Sequence, residues 1–304
     1  LRHRKIRHLM VMLRWHQEIV WTWIYTLWQV HRHGYLSAGR IPTMIKLCKK
    51  GVIAFILCML FICPLVFAAS TATQYDTDTK LMLHMDGADL GTTFTDSSSG
   101  AKTGTAKGNA YTETSIKEFG TASGNFDGTG DYVTFSDSTD WDLGTGAFTI
   151  DFWYKSSDSA GIEGLFGQAV DGTNFWGMSC AFNDGECYIR YYNAGAADVS
   201  TTFTVTQDTD WHHWAVTKSG TSIRLFKDGG LLGTDPDKSN FGTLAANFDV
   251  GRCMHLSSEV LYGTTGQIDE FRFVKGTAVW TANFTPPTAA YTAVSVRSRV
   301  RTVQ

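Results

Sequence analysis

An all-β fold, two antiparallel layers packed as a sandwich or jelly roll, is predicted for most of this 304-residue sequence. Three observations predict it. After residue 78, apolar and polar residues alternate in short runs with the two-residue period of half-buried strands. Turn formers (Gly, Asp, Asn, Ser) punctuate these runs at spacings of about ten residues, the rhythm of a sandwich; with 30 Gly against 5 Pro, glycine supplies the turns. Helical periodicity is almost wholly missing from the same region.

The chain before residue 79 reads differently. Residues 1–43 are basic and Trp-containing and are expected to be a leader or disordered segment without a selected fold, with Met44 as the start. Residues 44–69 have the make-up of a secretory signal peptide: Lys46, Lys49 and Lys50, then the apolar run Val52–Phe61, then Pro64 and Val66-Phe67-Ala68 before a cut near Ala68 or Ala69. The alternative is a membrane anchor, but the run is short of the roughly 20 residues that span a bilayer. Cys63 does not make a lipobox, because bulky Ile62 precedes it. Residues 70–78 are expected to be a linker, and secretion is the expected localisation.

The sandwich, expected over 79–291, unfolds as a series of strands. Leu81–Met85 is the first, stopped by Asp86-Gly87; Asp96–Gly108 is a polar loop. Asn125–Asp127 and Asp131–Phe135 flank the Gly128 and Gly130 turn. In Phe148–Tyr154, Phe148, Ile150, Phe152 and Tyr154 share one face, and Asp151 and Trp153 the other. Three aromatics on one face bury about 150–250 Å² each, so this strand should press on a second sheet. Leu165–Val170, Phe175–Phe182, Glu186–Asn193, Thr201–Val205, Trp211–Lys218 and Ile223–Lys227 follow, with Ser219-Gly220 and Asp228-Gly229 as hairpin turns. Phe248–Cys253 and Gly266–Val274 close the set; Trp280 and Phe284 are expected to cover the sandwich edge, and 292–304 to form a basic tail.

Charge and cysteine narrow the function classes. The chain has 26 Lys+Arg and 29 Asp+Glu; 10 and 1 of these precede residue 70, leaving 16 and 28, a net −12 for the rest. That balance disfavours nucleic-acid binding. Cys180 and Cys187 bracket Phe182-Asn183-Asp184-Gly185. A hairpin centred between Asn183 and Asp184 makes the two sulfurs face each other, while a turn at Asp184-Gly185 sets Cys180 opposite Ile189. A disulfide follows from the first register, and export permits it. Cys253 is left as a buried free thiol.

The segments LMLHMDG (81–87), FDGTGDYVTF (126–135), FTIDFWYK (148–155), WHHWAVT (211–217), IRLFKDG (223–229) and GQIDEFRFV (266–274), with KGTAVWTANFTPP (275–287), resemble in order and spacing the laminin-G-like domains of the concanavalin A-like lectin/glucanase superfamily. The resemblance implies a two-sheet antiparallel jelly roll that binds more often than it catalyses. It also implies a structural Ca²⁺ where the first and last strands meet, at Asp86 and Asp269, with Asp127 as a third ligand; hard oxygen donors suit that ion. The glucanase branch carries paired acids at alternate strand positions. This chain has no such run, since Asp269 and Glu270 are adjacent and, on a regular strand, point to opposite faces, while Glu163 and Glu186 stand alone. His212-His213 diverge likewise.

A sugar site needs flat aromatic rings with polar groups at their edges. Trp153, Trp176, Tyr191 and Tyr192 are the candidate platforms, with Asp151 and Asn193 as polar partners; Tyr191 and Tyr192 must split between faces. The expected function is therefore a secreted, non-enzymatic recognition domain binding a glycan or surface polymer, with no stable membrane insertion of the mature part. The alternative is a structural or adhesion module of a cell-surface or virion appendage, with a protein partner and a homo-oligomeric or larger assembly. A divergent glycoside hydrolase is the third reading.

Overall fold

The structure, a computed structural model, describes residues 74–158, 160–192, 199–236, 240–254 and 261–294. The segments read as leader and signal peptide, Asn193 and residues 295–304 lie outside the described residues. The described part falls within one compact unit.

Nineteen strands form among the described residues: β1 Gln74–Tyr75, β2 Thr79–Leu83, β3 Thr105–Lys107, β4 Tyr111–Glu113, β5 Ser123–Asp127, β6 Tyr132–Phe135, β7 Phe148–Ser156, β8 Ile162–Asp171, β9 Asn174–Ala181, β10 Glu186–Tyr192, β11 Val199–Thr204, β12 Trp211–Ser219, β13 Ser222–Lys227, β14 Gly230–Asp235, β15 Phe248–Val250, β16 Arg252–Met254, β17 Leu261–Gly263, β18 Thr265–Lys275 and β19 Thr292–Ala293. One sheet has seven strands in the order β11-β10-β9-β8-β15-β6-β3. The other has eight, β14-β13-β12-β7-β18-β5-β4, with β2 also paired to β18. Within both sheets the pairings are antiparallel.

The alternation of β7 builds the core as expected. Phe148, Ile150, Phe152 and Tyr154 are buried between the sheets with Phe166, Trp176, Met178 and Phe248. Phe152 meets Phe166 edge-on at 5.8 Å, and Trp176 stacks on Phe248 at 5.7 Å. Ring pairs in these geometries add about 0.5–1.5 kcal/mol each beyond the area they bury. Asp228 and Gly229 both take positive φ (51° and 71°), the mirror-image turn a two-residue hairpin needs.

Two elements depart from the expected pattern. The run Phe248–Cys253 is not one strand: Gly251, at φ 93°, turns the chain out of the sheet, so β15 stays and β16 leaves to pair with β17 as a separate ribbon. In β18, Asp269 pairs with Trp153 but Arg272 with Asp151, a one-residue bulge with Glu270 at φ 49°. The extra residue resets the alternation, so that Ile268 and Phe271 both reach the core. Strict divergence of Asp269 and Glu270 is thereby lost.

The ends of the described chain meet. β1 pairs in parallel with β19, which carries the folded region beyond 79 and 291 on both sides. Between β18 and β19 the chain crosses the outer face of the eight-stranded sheet. Trp280 and Phe284 lie flat on each other at 4.0 Å and pack on Phe226 and Ala215 of that face, not on the sandwich edge.

Candidate functional site

The two sheets present two outer faces, and the chain treats them differently. On the eight-stranded sheet, β7, β12 and β18 turn Asp151, Trp153, His213 and Arg272 outward. Asp151 is fully buried. Arg272 Nε donates to its Oδ1 at 2.8 Å, His213 Nε2 lies 3.3 Å from Oδ2, and the Tyr291 hydroxyl donates to Oδ2 as well. Burial pushes the Asp151 carboxyl up, but Arg272 and His213 outweigh it and hold it below the ordinary range. Trp153 is 9% exposed, packed between Phe119 and His213. His213 in turn meets Trp280 and Phe284 edge-on. This face is closed by the chain's own C-terminal segment.

Among the described residues, the outer face of the seven-stranded sheet keeps several side chains partly exposed, although Phe175, Ser179 and Arg190 on it are buried. The disulfide Cys180–Cys187 joins residues directly opposite on β9 and β10, the first of the two expected registers. With Cys187, Ile189 and Tyr191 in the core, alternation turns Tyr188, Arg190 and Tyr192 outward. Tyr188 and Tyr192 are half-buried; Tyr192 stacks on Phe175 at 6.0 Å, and the Arg190 guanidinium lies 4.5 Å over the Tyr188 ring. The Tyr188 hydroxyl donates to Glu186, which pushes its pKa up to about 12. Exposed Thr202 and Thr204 flank this ladder on β11.

The ribbon β16–β17 divides the face. Cys253 sits where Gly167 and Gly177 lack side chains: a Cβ at Gly177 would stand 2.5 Å from the thiol, and one at Gly164 2.1 Å from the Tyr262 carbonyl oxygen. Burial pushes the Cys253 thiol far up, so it is a packing residue. Beyond the ribbon, β15, β6 and β3 present Asp249, Tyr132, Thr134, Lys107 and Thr105. Arg252 Nε donates to Asp249 at 2.7 Å, and its guanidinium stacks 3.3 Å from the Tyr132 ring centroid. Burial raises the Asp249 carboxyl, with Thr134 and Arg252 opposing.

The candidate platforms are therefore split. Trp176 and Tyr191 point into the core at 3% and 5% exposure, with Trp176 Nε1 donating to Gln168 at 2.7 Å. Trp153 and Asp151 do look away from the core, but onto the covered face. Of the five that are described, Tyr192 alone reaches the outer face of the seven-stranded sheet; Asn193 is not among the described residues. Tyr188, Arg190, Tyr132 and Arg252 were missed. For β10 the signal was there: once Cys187 points inward, Tyr188, Arg190 and Tyr192 must point outward.

The three carboxylates read as calcium ligands each serve local backbone. Asp86 accepts from Thr121 and Ala122, Asp269 from Glu118 N and Phe119 N at 2.9 Å, and Asp127 from Thr129 N at 2.7 Å. Asp127 pairs with Thr265, four residues and ~13 Å along β18 from Asp269. Among the described residues no three His, Cys, Asp or Glu side chains converge as metal ligands would. Glu163 is buried, accepts from Thr265 N, and is raised to about 7 by that burial; Glu270 accepts from Tyr291 N and faces His84 at 2.8 Å. His212 lies between Asp208 and Asp228.

A sequence profile described as the concanavalin A-like lectin/glucanases superfamily, of laminin G type, matches residues 127–280. The chain belongs to this superfamily. Its lectin/glucanase-type sandwich is similar to solved structures at low identity. The binding domain of paraclostridial mosquitocidal protein 1 matches at 13% identity and TM-score 0.51, over 66% of this chain and 49% of that one. Domain 4 of AbnA, a GH43 extracellular arabinanase from Geobacillus stearothermophilus, solved with arabinotriose, matches at 14% and 0.51, over 66% and 94%. The binding domain of botulinum neurotoxin DC, solved with rat synaptotagmin II, matches at 11% and 0.50, over 67% and 49%. This chain thus spans about half of each toxin domain but nearly all of the arabinanase domain. No curated protein sequence matches significantly. Among the described residues no helix is long and apolar enough to cross a membrane.

Proposed function

We propose that this domain is an exported, non-enzymatic module that binds glycans on the outer face of its seven-stranded sheet. The observation that carries the reading is the set of half-buried tyrosines Tyr188, Tyr192 and Tyr132 on that face, with Glu186 and Arg190 beside Tyr188 and Arg252 beside Tyr132. Sugar rings offer apolar faces to such rings and hydroxyls to their polar neighbours. The arabinanase domain of the same fold was solved with a bound oligosaccharide, which supports the reading at the level of fold.

The test is a glycan array followed by calorimetry. Tyr188→Ala and Tyr192→Ala are expected to weaken sugar binding at least tenfold with the fold intact. Binding unchanged in both variants overturns the placement, and no binding to any glycan overturns the reading.

A second reading, an adhesion module with a protein partner, is favoured by Leu231 and Leu232, each 39% exposed on the edge strand β14. A stable oligomer without sugar binding would select it.

A further inference from the structure

Resting on the glycan reading, we propose that the half of this outer face beyond the ribbon is an anion subsite, so that the preferred ligand is an acidic glycan. Arg252 is held there in one orientation. Its Nε is bound to Asp249 at 2.7 Å, and its plane stacks on Tyr132 at 3.3 Å. These contacts occupy one edge and one face of the guanidinium. The two terminal nitrogens make no hydrogen bond among the described residues, and the side chain is 26% exposed. Lys107 stands directly opposite Tyr132 across the β3–β6 pair and is exposed; it too makes no ion pair among the described residues. Thr105 and Thr134 face each other next along the same two strands, offering hydroxyls.

Arg252 spends only Nε on Asp249, and Lys107 makes no ion pair among the described residues, in a region with net charge −12. Lys102–Asp140 and Arg272–Asp151 are other Lys and Arg ion pairs among the described residues. Here Asp249 takes Nε and leaves the terminal fork aimed outward. A planar fork with both terminal donors free matches a carboxylate or sulfate oxygen pair, and a nearby ammonium adds charge without competing for the same geometry. The surrounding negative charge repels polyanions in general. Attraction at this spot therefore reads the placement of the anion on the sugar, not bulk charge.

The experiment measures binding of the whole protein to two matched polymer pairs: polygalacturonate against its methyl ester, and dextran sulfate against dextran. Wild type is expected to bind the charged member of at least one pair about tenfold to a hundredfold more tightly, the range for hydrogen bonds to charged groups. The pair that responds assigns the anion as carboxylate or sulfate. Arg252→Gln should abolish the preference for the charged member. Lys107→Gln, on an exposed edge strand, should reduce the preference in part, and it decides the matter should Arg252→Gln fail to fold. Equal binding of charged and neutral members, or a preference that survives both substitutions, overturns the subsite. Binding of neutral polymers alone overturns it while leaving the glycan reading standing; binding of no polymer by wild type removes both.

Discussion

The two outer faces of this sandwich use the same vocabulary to opposite ends. Each sets aromatic rings beside an arginine and an aspartate at alternate strand positions. On the eight-stranded sheet, Asp151, Arg272 and His213 disappear beneath Trp280, Phe284 and Tyr291. On the seven-stranded sheet, Tyr188, Tyr192, Tyr132 and Arg252 keep part of their surface in water. Residue type does not separate the two; what differs among the described residues is how far another part of the chain returns over the face, completely at Asp151 and only as the β16–β17 ribbon on the seven-stranded sheet. A polar group covered this way serves stability through its pairs, as Asp151 does with Arg272, whereas one left partly exposed can serve a ligand.

The comparison breaks first at Asp151. Asp151→Asn removes the charge that compensates buried Arg272 and should cost about 3–5 kcal/mol of unfolding free energy, whereas Tyr188→Ala on the seven-stranded sheet should cost about 1 kcal/mol or less. Urea denaturation of both variants checks this. Equal losses would mean that the covered face is no more structural than the other.

The seven-stranded sheet has one lock of its own. The Cys180–Cys187 bridge closes the short hairpin that carries Tyr188, Arg190 and Tyr192. Replacing both cysteines with alanine should cost about 2–3 kcal/mol by the chain-entropy relation, and should weaken binding to any glycan that uses the ladder. A double variant that loses stability but binds as wild type would separate the hairpin from the site.

How far all this was readable depends on what kind of information each feature needs. Alternation in Phe148–Tyr154 and the Asp228-Gly229 turn are local, and both appear as expected. The disulfide register was one of two local options. The Glu270 bulge leaves no compositional trace, because a single added residue in a strand looks like any other. Gly251 hides inside a run of alternating apolar and polar residues that reads as one strand. Trp153 and Trp176 were attractive as sugar platforms because ring chemistry is the same in a core, under a strap or in a binding site. Which of these applies is settled by contacts with residues far away in sequence, such as Phe119 for Trp153 and Phe248 for Trp176.

Burial also gives the fold a pH signature. Asp269 and Glu163 are both raised to about 7, chiefly by desolvation, against partial relief from backbone N–H donors. A carboxyl raised in the folded state binds its proton more tightly there than in the unfolded chain. Its contribution is therefore fully present below about pH 4 and is lost as pH rises towards 7. Asp151 is lowered and acts in the other sense, losing its contribution as pH falls below the ordinary Asp range. Stability should thus increase by roughly 1–3 kcal/mol between pH 8 and pH 5 and decline again in stronger acid. Thermal melts across that range test it, and Glu163→Gln should flatten the neutral limb.

The smallest effect concerns calcium, which would be a further lock at the rim of the covered face. The Asp86 carboxylate accepts from Thr121 N, from Thr121 Oγ1 at 2.8 Å and from Ala122 N at 3.3 Å, so it already staples the loop that precedes β5. Asp86→Ala should then cost about 1–2 kcal/mol through those lost acceptors alone, by the same amount in EDTA as in millimolar Ca²⁺. If instead Ca²⁺ raises the melting temperature of wild type and not of Asp86→Ala, the carboxylate has a second task. The ion would then have to draw its oxygens from Asp86, Asp269 and nearby turn carbonyls, because Asp127 stands ~13 Å along β18 from Asp269. Calorimetric titration of Asp127→Ala separates that arrangement from the three-aspartate site: unchanged Ca²⁺ affinity is expected, since a ligand so far from the others cannot share the ion.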